Sequence, residues 1–294
     1  MPELPEVQTL VNQLNQVLIG KTIDKVLVSR DKNFIGQSSD LIGYQISSIT
    51  RFAKIILIHL TCEKPNSKSS IQTFPLIAVH LKMTGQLIYD NDQKRVAGGH
   101  PSQDFFATLP NQYTRVIIKF LDKSHLFFND QRTFGWLKVI RNKFQFNSEF
   151  KNLSGIEPFS PDFTWQNLKK RLSSSTRPIK LSILDQAKIV GIGNIYANDG
   201  LFLSRISPTR KTNTLTNQEW QKLTQSLRQV LEKSIKLGGT SQANYLHLDG
   251  SKGDYQDHFL VYAKVDQLCS VCQKPIKRIK LGGRGTFYCS HCQK

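Results

Sequence analysis

The chain has 294 residues, 39% of them hydrophobic, a formal net charge of +18 and an isoelectric point near 9.8. That length accommodates two domains with separate cores, and the charge points to a polyanion, nucleic acid before an anionic membrane. No apolar run approaches the roughly eighteen residues of a membrane span, no amphipathic basic helix stands out, and the acidic N-terminus lacks the apolar stretch of a secretory signal, so neither a membrane nor a secreted protein is expected.

The chain opens "MPELPEVQTL". Removal of Met1 before the small Pro2 would leave a secondary amine beside the Glu3 carboxylate, which is either a helix start or a nucleophile next to an acid. Val7, Leu10, Val11, Leu14, Val17 and Leu18 keep helical spacing, Pro5 suits the first turn and Gly20 closes the helix. From Ile23 to about Ile140 short β-like runs follow: "IDKVLVSR", "FAKIILIHL", "LIAVHLK", "RVIIKFL", "HLFFN" and "WLKVI". Polar loops separate them, the pattern of a β-sandwich or barrel-like domain. Two stretches, 61–75 and 91–113, are read as long loops, mobile or functional.

Near Phe144 the pattern turns helical. Trp165, Leu168 and Leu172 share a face, two helical stretches flank a "GIG" turn, and Thr216 to Leu237 reads as a long amphipathic helix. Thr216 with Glu219 forms a capping-box pattern and Gly238 ends that helix. The "VGIGNIY" turn lacks the third glycine of a dinucleotide fingerprint and follows a helix, so that reading fails. It is either a structural turn or a helix N-terminus that holds one phosphate, with Asn194 as an added donor. A polar, glycine-bearing loop follows.

Cys269, Cys272, Cys289 and Cys292 read C-x2-C-x16-C-x2-C, and Cys62 stands alone. Two CxxC knuckles at this spacing supply four thiolates for tetrahedral zinc in a reducing compartment, against a redox pair or coincidence. The segment between them reads as two strands around a Gly-rich turn. It carries Lys277, Arg278, Lys280 and Arg284, a nucleic-acid finger or a solvated basic hairpin.

These motifs together resemble the formamidopyrimidine-DNA glycosylases (Fpg, or MutM), bacterial enzymes that repair oxidised purines. The resemblance spans essentially the whole chain: "PELPEV", "RFAKIIL", "HLKMTGQL", "NDQRTFG", "LDQAKIVGIGNIYANDGLF" and the ending "GRGTFYCSHCQK". It implies an α+β multidomain fold. An N-terminal helix plus β-sandwich domain would span 1–140, and a helical domain with a helix–two-turn–helix element 150–240. A flexible loop and connecting strand (241–263) and a β-hairpin zinc finger (264–294) would follow, with a DNA cleft between the two domains. It also implies a bifunctional DNA glycosylase and abasic-site lyase, one structural zinc, double-stranded DNA with oxidised purines or abasic sites as partner, and a monomer. The location would be cytoplasmic and nucleoid-associated, or an organelle with DNA.

By resemblance Pro2 is the nucleophile, Glu3 its acid, and Lys54 and Arg284 assist elimination. An α-amine has a pKa of roughly 8, so about a quarter is unprotonated near pH 7.5, against roughly 0.1% of a lysine. Such an amine can attack C1′ of a deoxyribose and form an iminium. For Glu6 a first-turn carboxylate and a supporting role are both open. Lys54, at the head of an apolar strand face, either snorkels or lines a pocket. Met83, Arg132 and Phe134 match the family's wedge, which fills the hole left by the extruded base and reads its partner, although alone Met83 and Phe134 read as core. His80, which opens the "HLKMTG" stretch, is assigned to DNA binding, as are Lys180, Asn194 and Tyr196. The sequence departs from the family where Tyr113 and Arg115 replace an H-x-H that contacts phosphate, where "SSST" precedes Arg177, and where Asp199 replaces a common Glu. Rival readings are an endonuclease VIII-type enzyme for oxidised pyrimidines and a non-catalytic zinc-ribbon DNA-binding protein.

Overall fold

A computed structural model describes residues 1–62, 75–99, 108–240 and 253–294. The polar loop expected over 241–263 lies outside the described residues as far as 252, and so do most of the first long loop and positions 100–107 of the second. The chain divides into two compact units, Met1–Glu149 with the described part of Gly238–Gly253, and Phe150–Leu237 with Asp254–Lys294. The finger therefore shares a unit with the helices.

The first unit begins with α1 (Leu4–Leu18). Proline in its first turn fixes φ and gives up an N–H that needs no intrahelical partner. Leu4, Val7, Leu10, Val11, Leu14 and Leu18 are all buried, one apolar stripe. The strands are β1 (Ile23–Val28), β2 (Phe34–Ile35), β3 (Tyr44–Phe52), β4 (Ile55–Cys62), β5 (Leu76–His80), β6 (Gly85–Asp90), β7 (Arg95–Gly99), β8 (Thr114–Phe120), β9 (His125–Asp130) and β10 (Trp136–Ile140). They form two five-stranded sheets, β1-β8-β9-β6-β7 and β2-β10-β5-β4-β3, which share one core with α1. Asn15 fastens the helix to the second sheet: its amide donates to the Ile49 carbonyl (2.8 Å) and its oxygen accepts the Ile49 N–H (2.9 Å). The stretch 91–113 is not wholly loop, because β7 pairs with β6 from Gln86↔Gly99 to Asp90↔Arg95. "RVAGG" lacks the alternation that marks a half-buried strand, so only its partner reveals it.

Register places three connections at one end of the sandwich. Phe52 pairs with Ile55 across the β3–β4 turn, Ile56 with Val79, His80 with Trp136, and Gly85 with Asp130. Residues 53–54, 81–84 and 131–135 therefore lie together, and the last two segments cross between the sheets. Glycine is required at one crossing, since a Cβ on Gly135 would lie 2.7 Å from Phe128 and 3.1 Å from Asp130 Oδ2.

In the second unit α3 (Trp165–Leu172) starts at Thr164, whose side chain accepts the Asn167 N–H. It is followed by α4 (Ile179–Ile183), α5 (Asn194–Leu203) and α6 (Asn217–Lys236); α2 (Lys143–Glu149) ends the first unit. The Thr216–Glu219 capping box is present, and Gly238, at φ 74°, ends α6. Trp220, Leu223, Leu227 and Leu231 pack on Tyr196, Ala197 and Leu201. Buried Asp199 joins α5 to the chain beyond the polar loop. Its carboxylate accepts the N–H groups of Leu260, Val261 and Tyr262 (3.1–3.2 Å) and the Tyr255 hydroxyl (3.2 Å). Burial raises its pKa while those hydrogen bonds lower it. The shorter acid at this position is thus an internal strut. The finger is a hairpin, β11 (Lys277–Leu281) and β12 (Arg284–Tyr288), turning through Gly282 and Gly283. Both have positive φ, as a two-residue hairpin turn of the right twist demands.

Candidate active site and nucleic-acid surface

The N-terminus of α1 builds the first part of the site. Pro2, Glu3 and Glu6 are all buried. Glu6 Oε2 accepts the Glu3 N–H (2.8 Å) and Oε1 accepts the Thr240 N–H (3.0 Å). Glu6 thus satisfies the helix start, as the first-turn reading expects, and also holds the backbone at Thr240. While Met1 is present the terminal amine is Met1's and the Pro2 nitrogen is an amide. Burial lowers the pKa of that amine and the nearby Lys54 adds to this, while Glu3 and Glu6 oppose it. The amine, two carboxylates and Lys54 therefore share one neighbourhood.

Lys54 is not a strand residue. It occupies the two-residue β3–β4 turn, after Ala53 at φ 54°, and its side chain is buried. Arg51 braces the turn, donating to the Ala53 carbonyl (2.8 Å) and to Gln8 Oε1 of α1 (3.1 Å). A buried lysine fits the pocket reading better than the snorkelling one. His80 lies in the same region. Burial, then Lys82, Lys54 and the terminal amine, push its pKa down to about 3. Its Nδ1 accepts the Lys82 N–H (3.0 Å), so the neutral ring carries its proton on Nε2.

Met83, Arg132 and Phe134 are exposed on the two crossing loops, with Met83 at 40% and Phe134 at 48%. The core reading of Met83 and Phe134 does not hold. The Arg132 guanidinium lies 4.9 Å from the Phe134 ring centre. Lys82 and Thr133, which adjoin these residues, take φ of 52° and 56°. That is an unusual conformation for any residue with a Cβ and an outlier for β-branched Thr133.

Three of the residues assigned to DNA binding are buried and hydrogen-bonded within the protein. Arg115 turns inward, Nε donating to the Asp130 carbonyl and Nη1 to that of Gln112 (both 2.9 Å), and burial lowers its pKa. Of the two residues at the histidine positions, Arg115 is buried and Tyr113 half-exposed. Tyr196 is fully buried with its hydroxyl 2.6 Å from Ser234 Oγ, a core residue of the helical unit. Lys180 is also fully buried and donates to the Gly285 carbonyl (3.0 Å) and Thr286 Oγ1 (2.7 Å). Asn194 donates to the same carbonyl (3.1 Å), and Asn198 accepts the Phe287 N–H (2.9 Å). Lys180 and Asn194 thus hold the backbone next to Arg284, which is exposed at the hairpin tip. The "GIG" turn is stapled by Gln186, which accepts the Gly191 N–H and donates to the Ile192 carbonyl (both 2.9 Å). Sequence reading missed Asp130 and Gln186 and noted Asp199 only as a departure from the family; the partners of all three are brought by the fold.

The four finger sulfurs lie within 4.8 Å of one another, with Cys269–Cys292 at 3.9 Å and Cys272–Cys289 at 3.4 Å. Tetrahedral zinc with bonds of about 2.3 Å sets its sulfurs about 3.8 Å apart, so this cluster fits one structural zinc ion. Cys62, exposed at the end of β4, is outside it.

Three family models cover nearly all of this architecture: the formamidopyrimidine-DNA glycosylase N-terminal domain over residues 1–137, the formamidopyrimidine-DNA glycosylase H2TH domain over 154–245, and a zinc finger found in FPG and IleRS over 266–294. The chain belongs to the formamidopyrimidine-DNA glycosylase family. Among its relatives, those of Wolbachia sp. subsp. Brugia malayi and Listeria innocua, both named formamidopyrimidine-DNA glycosylase, are 37% and 32% identical, each over 100% of both chains. A Lactococcus lactis FPG mutant complexed with Fapy-dG containing DNA matches with a TM-score of 0.84 at 29% identity over 100% of both chains. The same enzyme has also been solved with DNA containing an oxidised pyrimidine, where the TM-score is 0.82 at 28% identity over 100% of both chains.

Proposed function

We propose that the chain is a bifunctional DNA glycosylase and abasic-site lyase of base excision repair, acting on formamidopyrimidines and 8-oxoguanine in duplex DNA. The observation that supports the chemistry is the buried N-terminus, where Pro2, Glu3 and Glu6 lie together and burial, aided by Lys54 and opposed by Glu3 and Glu6, lowers the pKa of the Met1 amine. A terminal amine with a lowered pKa is unprotonated, and so nucleophilic, in a larger fraction near pH 7. After loss of Met1, Pro2 nitrogen forms a bond to C1′ as the glycosidic bond breaks and the base leaves with its electron pair. Glu3 supplies the proton that opens the deoxyribose ring and completes the iminium. The iminium acidifies the C2′ hydrogen, and its removal expels the 3′ phosphate. A second elimination expels the 5′ phosphate, with Lys54 and Arg284 assisting the two steps. Zinc, when bound, supplies no chemistry to them; it fixes the hairpin that presents Arg284.

Met83, Arg132 and Phe134 fill and read the site of the extruded base. Their exposure on two strained loops at one end of the sandwich supports this role. His80, neutral, serves there as a hydrogen-bond donor through Nε2. Tyr113 is the remaining DNA contact at the histidine positions, while Lys180, Asn194 and Tyr196 act by holding the finger and α5. Among the described residues no helix is long and apolar enough to cross a membrane. The proposed setting is the nucleoid of a bacterial cytoplasm or an organelle with DNA, with the enzyme a monomer.

A substrate panel tests the reading. Single-turnover excision should be fastest on 8-oxoguanine and formamidopyrimidine duplexes and slower on oxidised pyrimidines, with nicking at abasic sites. The Lactococcus lactis complex with an oxidised pyrimidine gives the pyrimidine arm its purpose. Faster excision of pyrimidine lesions would favour the endonuclease VIII-type reading, and DNA binding without cleavage the non-catalytic one.

A further inference from the structure

One buried carboxylate, Asp130, 1% exposed, stands where the two crossing loops meet. Its Oδ2 accepts the Gly135 N–H (2.7 Å), and its Oδ1 accepts the Arg132 N–H (3.2 Å) and the Thr84 hydroxyl. Thr84 Oγ1 accepts the Arg132 N–H as well (3.1 Å). The Asp130 backbone is gripped in turn, its N–H by the Tyr113 carbonyl (2.9 Å) and its carbonyl by Arg115 Nε (2.9 Å). The loop it clamps holds Thr133 at φ 56° between the exposed Arg132 and Phe134. Such a conformation persists only where its surroundings over-determine it.

The geometry points to Asp130 as a positioning residue that sets Met83, Arg132 and Phe134 as one preorganised unit. The inference rests on the wedge reading above. Thr84 follows Met83 directly, so its hydroxyl ties the Met83 loop to the carboxylate that also holds both ends of the Arg132–Gly135 segment. Three donors converge on two oxygens. A carboxylate is acceptor-only, with about four lone-pair sites, and so takes all three. An asparagine of the same shape has one oxygen and turns N–H groups toward at least one of the donors. The arrangement therefore needs the carboxylate, and Arg115 Nε braces its carbonyl.

The test compares Asp130→Asn, Thr84→Val, Thr84→Ser and Phe134→Ala by single-turnover kinetics on an 8-oxoguanine duplex and on a ready-made abasic duplex. Asp130→Asn should slow excision about 10-fold or more, and abasic cleavage by less than about 3-fold, because only the first step requires a base to be extruded. Thr84→Val should show a milder form of the same selective loss, and Thr84→Ser, which keeps the hydroxyl, should recover the wild-type ratio of the two rates. Adding Asp130→Asn to Phe134→Ala should slow excision by clearly less than the product of the two single effects, since a group that acts partly through that ring has less left to lose. Wild-type excision by Asp130→Asn beside a slow Phe134→Ala would overturn the proposal and leave the wedge standing. Equal slowing of both substrates by Asp130→Asn, or multiplying effects in the double variant, would also overturn it. If Phe134→Ala itself slows both substrates alike, the wedge reading falls and this inference falls with it.

Discussion

Glu6 accepts backbone N–H groups from positions 3 and 240, which lie at opposite ends of the first unit's sequence. Glu6→Gln keeps the size but turns an amide toward one of those donors. A buried donor left unpaired costs about 1–3 kcal/mol, so urea unfolding should show a loss of that order; an unchanged midpoint would mean water replaces the bond. Glu3→Gln tests a different property, proton supply. It should bind an 8-oxoguanine duplex as wild type does in gel-shift titration yet lose excision, and excision at the wild-type rate would place the acid elsewhere. His80 adds a pH dependence. Its folded pKa of about 3 lies below the ordinary 6.5, so the unfolded chain binds the extra proton first. Its contribution is complete above pH 6.5, falls as pH drops by up to about 1.4 kcal/mol per unit, and bottoms out near pH 3. His80→Asn should flatten the acid side of the stability profile between pH 6.5 and 4, measured by denaturant midpoints.

Elements whose signals are local are legible in the sequence. α1 follows from the spacing Val7, Leu10, Leu14, Leu18 with Pro5 and Gly20 at its ends, and α6 from the Thr216–Glu219 box and Gly238. The cysteine knuckles carry their ligand geometry in their spacing. What the sequence hides depends on partners brought from elsewhere in the chain. β7 exists because β6 pairs with it. Arg115, Lys180 and Tyr196 carry the right chemistry for DNA, but the direction of a side chain is set by tertiary packing, and all three point inward. The wedge loop lies between these cases, its motif readable and its clamp not. Losing a wedge contribution of roughly 2 kcal/mol slows a step about 30-fold. Phe134→Ala should therefore slow 8-oxoguanine excision by about that factor and abasic cleavage much less. Arg132→Ala should instead blunt the preference for cytosine opposite the lesion across four duplexes that differ only in that base; an unchanged ranking would assign Arg132 to general DNA contact.

At the scale of the molecule, the proposed function assigns affinity to the charge of +18 and the zinc finger, and chemistry to the buried N-terminus. The two can be separated. Chelating the single zinc should release the hairpin that Lys180 and Asn194 hold and weaken binding to undamaged duplex, with metal analysis reading one zinc per active chain. The central claim is that the opening "MPELPE" is a nucleophile beside an acid, with Pro2 as the attacking amine. Borohydride reduction during turnover of an oligonucleotide bearing one 8-oxoguanine tests it most directly. The account predicts a stable protein–DNA adduct that peptide mapping places on residue 2 of a chain lacking Met1, and no adduct when an uncleaved N-terminal tag blocks that amine. An adduct through Lys54 or another internal lysine, or undiminished trapping with the tag in place, would contradict it.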